Sequence, residues 1–267
     1  MLPKYKPLSI KKEMEISKNS PLFIKKEYLF NKNKLICLGI NHTSEFTHPQ
    51  FKEIISLVEK EKFSCIVLEI SEEQLKDYEL IKNKEDFKEK DFIIRLAKEK
   101  RIPLLAGDAD FKEILYKNRK EYGDKNILLI RILMYLNHKK NIEEEISKII
   151  NHLETKDDFK KIFEEFKKNE AITNDKFKEI IKNFMQLYTN KKLEEINYKD
   201  NLLPSPLENK TELNKIIRDI SYKRDEVMIQ KTFEKLKKGA VLFIAGKNHI
   251  IRQEPFLRKL ELSNKAF

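Results

Sequence analysis

Four short, compact apolar runs interrupt a chain in which apolar and charged residues are otherwise closely mixed. The runs occupy residues 35–38, 65–70, 102–106 and 240–245. They lack the alternation of a half-exposed strand, and they are too short to be buried helices. Continuous apolar runs of this length are typical of strands that are covered on both faces. The pattern therefore predicts four central strands of a buried sheet.

The segments that separate the first three runs carry apolar residues at helical spacing. Residues 49–62 and 86–100 both place apolar positions three or four residues apart among Lys and Glu. Because strands that alternate with helices are the signature of an α/β fold, we predict a mainly parallel central sheet flanked by helices. Residues 1–33 form a predicted N-terminal extension, in which residues 22–30 are expected to add an antiparallel edge strand.

A long helical insertion is predicted between the third and fourth strands, over about residues 110–205. Apolar residues recur every three or four positions in three of its stretches, residues 126–153, 157–168 and 174–188. Two prolines in the sequence LLPSP end the insertion, because proline cannot continue a helix. A long helix over residues 212–238 and a stop at Gly239 then lead into the last strand. We interpret residues 34–267 as one α/β domain that contains this insertion.

Composition bears mainly on the expected partner and location. The chain of 267 residues has a net charge of +11, which by itself favours nucleic-acid binding. Only eight of its 55 basic residues are Arg, however, and the Lys residues are scattered among Glu and Asp. Arg is preferred for bidentate phosphate contacts, so nucleic acid is not the expected partner. No run approaches the roughly 20 apolar residues of a membrane span, and no secretory signal is visible, so a cytoplasmic protein is expected.

The two cysteines lie inside the first and second apolar runs. Cys37 and Cys65 would act there as small hydrophobic residues if they are reduced. A disulfide requires the two strands to be neighbours, and the sequence alone leaves that question open.

Residues that could take part in catalysis or ligand binding follow each of the four predicted strands. In an open parallel sheet, ligands bind beyond the carboxyl ends of the strands, so we expect these residues to meet at one edge. The first and last strands end in the same way, with Gly, a variable residue, Asn and His. In chain order the candidates are Gly39, Asn41, His42, Glu69, Gly107, Asp108, Gly246, Asn248 and His249.

Two histidines and a carboxylate at one edge support two kinds of chemistry. With His42, Glu69 and His249 as ligands, they suit a divalent metal such as Mn²⁺, Co²⁺ or Zn²⁺ that keeps positions open for water and substrate. Without a metal, one His takes a proton from water while Glu69 orients or polarises it. Each residue also has a structural explanation, as a loop His bonded to backbone or an acid at a helix start. His48, which precedes the first predicted helix, is a lesser candidate for the same edge.

Five short motifs follow one another along the chain. A strand with Gly-x-x-His comes first, an acid ends the second strand, and Gly-Asp follows the third. Arg-Asp-x-x-Met then occurs in the predicted long helix at residues 224–228, and a second Gly-x-x-His follows the last strand.

This ordered set resembles the TraB/Tiki superfamily, whose relatives include erythromycin-esterase-like and ChaN-like proteins. The resemblance covers roughly residues 34–260. The chain departs from the family pattern after Glu69, because residues 71–74 contain no Arg.

The resemblance implies that His42, Glu69 and His249 form an active centre. In Tiki-like relatives the implied activity is metal-dependent peptide hydrolysis, and in erythromycin-esterase-like relatives it is ester hydrolysis by a His-activated water. We add Asp108 to the catalytic residues, with Arg224 as a cation that keeps Glu69 or Asp108 ionised or binds a substrate carboxylate. The residues assigned to substrate binding are Gly39, Asn41, Gly107, Gly246, Asn248 and Asp225.

The leading hypothesis is therefore a hydrolase of a peptide, ester or amide bond, acting on a small-molecule or peptide substrate. One alternative is a non-catalytic haem- or metal-binding protein of the ChaN-like type. Another is a basic module that binds a partner or nucleic acid through the helical insertion. The sequence leaves the oligomeric state open, a homodimer included.

Overall fold

The chain folds around a five-stranded sheet with helices on both faces, in a computed structural model that describes residues 2–43, 45–80, 89–137, 139–196, 200, 202–208 and 210–263. The strands are β1 Ile24–Phe30, β2 Asn33–Ile40, β3 Cys65–Leu68, β4 Leu104–Ala106 and β5 Val241–Gly246. A strand forms at each of the four predicted apolar runs and at the predicted edge strand, which confirms the α/β fold class. Three of the four are central, as predicted, whereas β4 lies at the edge of the sheet with Leu104 and Leu105 only partly buried.

The helices fall between and after these strands. In chain order the α-helices are α1 Ile10–Asn19, α2 Pro49–Lys60, α3 Glu72–Leu80, α4 Glu89–Glu99, α5 Phe111–Lys117, α6 Arg119–Tyr122, α7 Asp124–Leu136, α8 Ile142–Thr155, α9 Lys160–Glu170, α10 Asn174–Thr189, α11 Glu212–Leu236 and α12 Lys247–Ser263. A short 3-10 helix spans Leu193–Glu195. The first three residues of the helix predicted at 86–100 lie outside the described residues.

The strand order in the sheet is β1-β2-β5-β3-β4, so the last strand lies in the middle. β1 pairs with β2 in antiparallel register, whereas β2, β5, β3 and β4 all run parallel to one another. In this register Ile40 of β2 is opposite Gly246 of β5, and Leu68 of β3 is opposite Ile244. The carboxyl ends of the four parallel strands consequently lie at the same edge of the sheet.

The inner strands β2, β5 and β3 are buried on both faces, as their apolar runs predict. Within β5, Val241 and Phe243 pack on one face with residues of α11 and α12, including Met228. Leu242 and Ile244 pack on the other face with residues of α2 and α4. Alternate residues of each central strand therefore belong to two separate apolar layers.

The two cysteines are free thiols and both are buried. They face the same apolar layer, but β5 lies between their strands. Strands in a sheet are about 4.8 Å apart, so a bridge between β2 and β3 would have to span about twice that distance. This exceeds the reach of a disulfide, and burial raises the pKa of the Cys37 thiol.

The N-terminal extension is more structured than its sequence predicts. The antiparallel edge strand is confirmed as β1, but helix α1 before it was not predicted. The sequence of α1, IKKEMEISKN, is mostly polar, and its apolar spacing is too sparse to indicate a helix. α1 packs against α12, and its Glu13 is buried there, so tertiary contacts account for this helix.

The chain divides into two compact units, the first made of Met1–Phe111 with Ser221–Phe267 and the second of Lys112–Ile220. The described residues of the second unit contain helices and no strand. The stretch predicted as helical at residues 126–153 is two helices, because Asn141 caps the start of α8 by accepting a hydrogen bond from the Glu144 N–H. Across the described residues of the whole chain, none of the helices has the length and apolar character needed to cross a membrane.

Candidate functional site

The sheet topology brings the predicted residues together. His42 follows β2, Glu69 follows β3, and Gly246 ends β5, which lies between those two strands. His249 lies in the first turn of α12, which starts directly after Gly246. The two Gly-x-Asn-His segments, about 200 residues apart in sequence, therefore come from adjacent parallel strands.

Gly246 marks the point where the three side chains converge. A Cβ atom placed on this glycine would lie 3.2 Å from Glu69 Oε2, 3.5 Å from His42 Nε2 and 3.7 Å from His249 Cδ2. Any larger residue would occupy the space between them. The absence of a side chain at position 246 thus leaves a small polar gap bounded by two imidazoles and a carboxylate.

His42 is the accessible member of the group. Its side chain is 61% exposed, and its Nδ1 lies 2.7 Å from Oε1 of the buried Glu89. Burial opposes the ionisation of Glu89, but the hydrogen bond with His42 holds the pKa of Glu89 below its usual value. The ionised carboxylate therefore accepts a hydrogen bond from Nδ1–H, and in that tautomer Nε2 carries a lone pair.

His249 is buried between two carboxylates. Its Nδ1 lies 2.5 Å from Asp225 Oδ1 and its Nε2 lies 3.3 Å from Glu69 Oε1. Burial by itself lowers the pKa of His249, but the charges of Glu69 and Asp225 outweigh that effect and raise it above the usual value. The protonated form of His249, which these carboxylates favour, donates to one carboxylate from each nitrogen.

Glu69 is buried and ionised. Its Oε1 accepts a hydrogen bond from Arg224 Nη2 at 2.8 Å, and its Oε2 accepts one from the Gly246 N–H at 2.6 Å. Burial would raise the pKa of Glu69, but His249, Arg224 and the backbone hydrogen bond hold it well below its usual range. Two fixed cations therefore compensate one carboxylate in the centre of the site.

Arg224 links the residues that follow β3 and β4. Its Nε donates to Asp108 Oδ1 at 2.9 Å, while its Nη2 contacts both Asp108 and Glu69. Lys231, two turns further along α11, donates to the carbonyl oxygen of Ala106 at 2.9 Å. The predicted role of Arg224 as a fixed cation near both acids agrees with these contacts.

Four other predicted residues have contacts that position or pack the site. A Cβ on Gly39 would lie 2.7 Å from Ile24 Cγ1, and one on Gly107 would lie 2.7 Å from Val67 Cγ1, so both positions require a close approach of chain segments. Asn41 exchanges two backbone hydrogen bonds with the side chain of Gln50. Asn248 accepts a hydrogen bond from Ser17 Oγ.

Asp225 and His48 have local contacts that bear on their predicted roles. Asp225, which was predicted to bind substrate, is completely buried behind His249. Its Oδ1 lies 2.5 Å from His249 Nδ1, so the carboxylate is placed to orient the imidazole. His48 caps α2, where its Nδ1 accepts a hydrogen bond from the Gln50 N–H at 3.3 Å.

The sequence interpretation missed Glu89, Glu13 and Arg252. Glu89 shares its helical face with the buried Ile93 and Ala97, at positions i, i+4 and i+8. A carboxylate on the apolar face of an amphipathic helix needs a partner, and this signal was available in the sequence. Glu13 and Arg252 carry no comparable signal, because the surrounding sequence is already rich in charge.

Binding of a divalent metal by His42, Glu69 and His249 would have to displace existing contacts. Each oxygen of Glu69 accepts a hydrogen bond, and His249 Nε2 lies 3.3 Å from Glu69 Oε1. In the part of the chain that the structure describes, no three His, Cys, Asp or Glu side chains form a group able to hold a metal ion.

These pKa shifts predict how stability depends on pH. Glu69 and Asp225 have lowered pKa values in the folded state, so their contribution is present above their ordinary values of 4.5 and 3.8 and is lost as the pH falls through the folded values. His249 has a raised pKa, so its contribution is complete below 6.5 and is lost as the pH rises from there through its folded value. Urea unfolding at a series of pH values should therefore show greatest stability between about pH 5 and 6.5, with a decline of up to about 1.4 kcal/mol per pH unit for each group that titrates. A flat profile from pH 6.5 to 9 would contradict the assignment of His249 as an imidazolium.

No protein-family model, curated protein or solved structure matches the chain. The resemblance to the TraB/Tiki superfamily therefore stays a prediction, and the function has to be argued from the geometry of the site.

Proposed function

We propose that this protein is a hydrolase that activates water with His42 and cleaves an ester or amide bond without a metal. The observation that carries the proposal is the convergence of His42 Nε2, Glu69 Oε2 and the His249 ring within 3.2–3.7 Å of one point at Gly246. Buried carboxylates fix both imidazoles through their Nδ1 atoms. Such an arrangement of a base, its orienting acid and a second acid is typical of general acid–base catalysis.

The geometry favours a water molecule held by two acceptors. His42 Nε2 and Glu69 Oε2 both border the gap at Gly246, and each can accept one hydrogen of the same water. A water that donates both hydrogens in this way directs its lone pairs towards the exposed side of the site. His42 is the exposed residue of this set, so the substrate approaches from that side.

The reaction then follows from the protonation states. His42 removes a proton from the water as its oxygen attacks the carbonyl carbon of the substrate, and the imidazolium formed is stabilised by Glu89. When the tetrahedral intermediate collapses, His42 returns the proton to the leaving alcohol or amine. The products are a carboxylic acid and that alcohol or amine, so one water is consumed for each bond cleaved.

The buried charges have an electrostatic role in this scheme. Glu69 stays ionised because Arg224 and His249 compensate it, and it therefore remains an acceptor for the attacking water. The two cations are fixed by Asp108 and Asp225, so little reorganisation is needed as negative charge develops on the substrate.

The test is to compare His42→Asn with the wild-type protein on 4-nitrophenyl acetate, 4-nitrophenyl butyrate and a set of peptide amides. We expect kcat to fall by about 100-fold or more, which is the usual contribution of a general base. Because His42 is exposed, the free energy of unfolding should change by less than about 1 kcal/mol. His48→Asn is the matched control, since Asn also caps helices well and should preserve activity.

Metal addition distinguishes this proposal from the metal-dependent alternative. Wild-type activity should be unchanged by a chelator and should not rise with Mn²⁺, Co²⁺ or Zn²⁺, because the donor atoms are already engaged. Activity that requires one of these metals, or equal activity in His42→Asn and wild type, would contradict the proposal. Spectra recorded after haem addition test the ChaN-like alternative, for which a shifted Soret band is expected.

A further inference from the structure

The N-terminal segment, residues 2–20, contributes two buried polar side chains to the surroundings of His249. Tyr5 and Glu13 are 8% and 2% exposed. The Tyr5 hydroxyl lies 3.2 Å from Asp225 Oδ2, and the Tyr5 ring packs edge-on against Phe256 of α12. Glu13 Oε1 lies 2.9 Å from Nη1 of the buried Arg252. This segment therefore reaches the same network that holds the imidazolium.

Asp225 is the centre of that network. Besides His249 Nδ1, it accepts hydrogen bonds from Arg252 Nε at 2.7 Å and from Gln253 Nε2 at 3.0 Å. With the Tyr5 hydroxyl, these donors fix both carboxylate oxygens. The direction of the Asp225 carboxylate determines the direction of the His249 ring, and through Nε2 the contact with Glu69.

Arg252 is in a position that requires a counter-charge. Its Nη2 lies 3.0 Å from His249 Nδ1, where a close approach of two protonated donors is unfavourable. Asp225 is shared between these two cations, and His249 also contacts Glu69. Glu13 binds the other side of the guanidinium and gives Arg252 a second carboxylate.

We propose that Glu13 and Tyr5 are positioning residues for His249, Glu13 by holding Arg252 and Tyr5 by holding Asp225. This inference rests on the proposed hydrolase function of the site. It makes the N-terminal segment part of the catalytic apparatus, although neither of its residues touches the gap at Gly246.

Stability alone does not explain this choice of residues. A buried ion pair is often no more stabilising than apolar side chains of similar volume, because both charges must leave water. Apolar residues would also suffice to attach α1 to α12. An acid at position 13 instead holds the guanidinium of Arg252, which lies 3.0 Å from His249 Nδ1.

The experiment uses the full-length protein with ¹⁵N-labelled histidine and follows the Nδ1 proton of His249 by NMR. In Glu13→Gln we expect this proton to exchange with water at least about tenfold faster, because Arg252 is released and the hydrogen bond to Asp225 opens more often. We expect kcat to fall by about tenfold or more, with KM changed by less than about threefold, because a misplaced ring impairs the chemical step. Tyr5→Phe removes one hydrogen bond, keeps the ring, and should show the same changes at smaller amplitude.

Glu15→Gln is the matched control, because Glu15 is an exposed acid on the same helix. It should leave the proton exchange and kcat unchanged. A Glu13→Gln protein that melts at a lower temperature but keeps wild-type exchange and kcat would overturn the proposal, since Glu13 would then be only a folding contact. If Glu13→Gln does not fold, Tyr5→Phe decides in the same way: faster exchange supports the proposal and unchanged exchange overturns it. If the wild-type protein hydrolyses none of the esters or amides, the proposed function fails, while the exchange measurement still decides whether Glu13 and Tyr5 position His249.

Discussion

Glu69→Gln is expected to lower the free energy of unfolding by about 3–5 kcal/mol, the range seen when one partner of a buried ion pair is removed. Gln keeps the shape of the side chain but not its charge. Arg224 would then keep Asp108 as its one ionised partner at the site, and the buried His249 would lose one of its two carboxylates. Hydrolysis should also fall by about 100- to 1000-fold, because the water loses its ionised acceptor.

The measurements for Glu69→Gln are urea unfolding at pH 6 and kcat on the most active ester. Glu72→Gln is the control, since Glu72 follows three residues later with a side chain that is 68% exposed and 3.6 Å from Lys231. A surface ion pair of this kind contributes little to stability. The free energy of unfolding of Glu72→Gln should therefore differ from wild type by less than about 1 kcal/mol. Equal effects of the two substitutions would mean that the charge of Glu69 is not compensated in the way that its contacts indicate.

The sheet could be predicted because each central strand is buried on both faces. Such strands leave a continuous apolar run in the sequence, and the runs ending at Ile40 and Gly246 needed no tertiary information to be found. Which strands are neighbours could not be predicted in the same way. The insertion of β5 between β2 and β3 depends on long-range pairing, and it is this pairing that places His42 and Glu69 on either side of Gly246.

The candidate site was predictable where a residue follows a strand and less so where a helix supplies it. Glu69 and Asp108 were expected at the sheet edge, and Arg224 was expected to pair with them, as it does. Glu13 and Arg252 were missed, because a charge in a chain that is 37% charged does not reveal whether it is buried. Only the packing of α1 against α12 distinguishes Glu13 from the exposed acids around it.

These contacts also show why the site contains so many more charges than the chemistry uses. His42 and Glu69 are the groups that face the gap, whereas Asp108 and Asp225 fix the cations that keep Glu69 ionised. The charges alternate in sign outwards from Glu69. The outermost of these, Glu13, comes from the N-terminal extension, so the network ends only in a segment that the sequence alone would treat as peripheral.

Asp225→Asn gives the sharpest distinction between the substrate-binding role predicted from sequence and the positioning role supported by burial. If Asp225 bound substrate, the substitution would raise KM and leave kcat largely unchanged. Asp225 is completely buried, however, and accepts a hydrogen bond from Nδ1 of His249. We therefore expect kcat to fall by about 100- to 1000-fold, because His249 would no longer be fixed beside Glu69, with KM within about threefold of the wild-type value.

The same substitution should lower the free energy of unfolding by about 3–5 kcal/mol, because Arg252 and His249 both lose their shared anion. Steady-state kinetics on the best ester and urea unfolding measure the two effects separately. Glu226→Gln is the matched control, because Glu226 is the next residue of α11 and is partly exposed. It should leave kcat and the free energy of unfolding close to their wild-type values. A raised KM with an unchanged kcat in Asp225→Asn would restore the substrate-binding role, and it would mean that the hydrogen bond from Nδ1 does not govern the chemistry of His249.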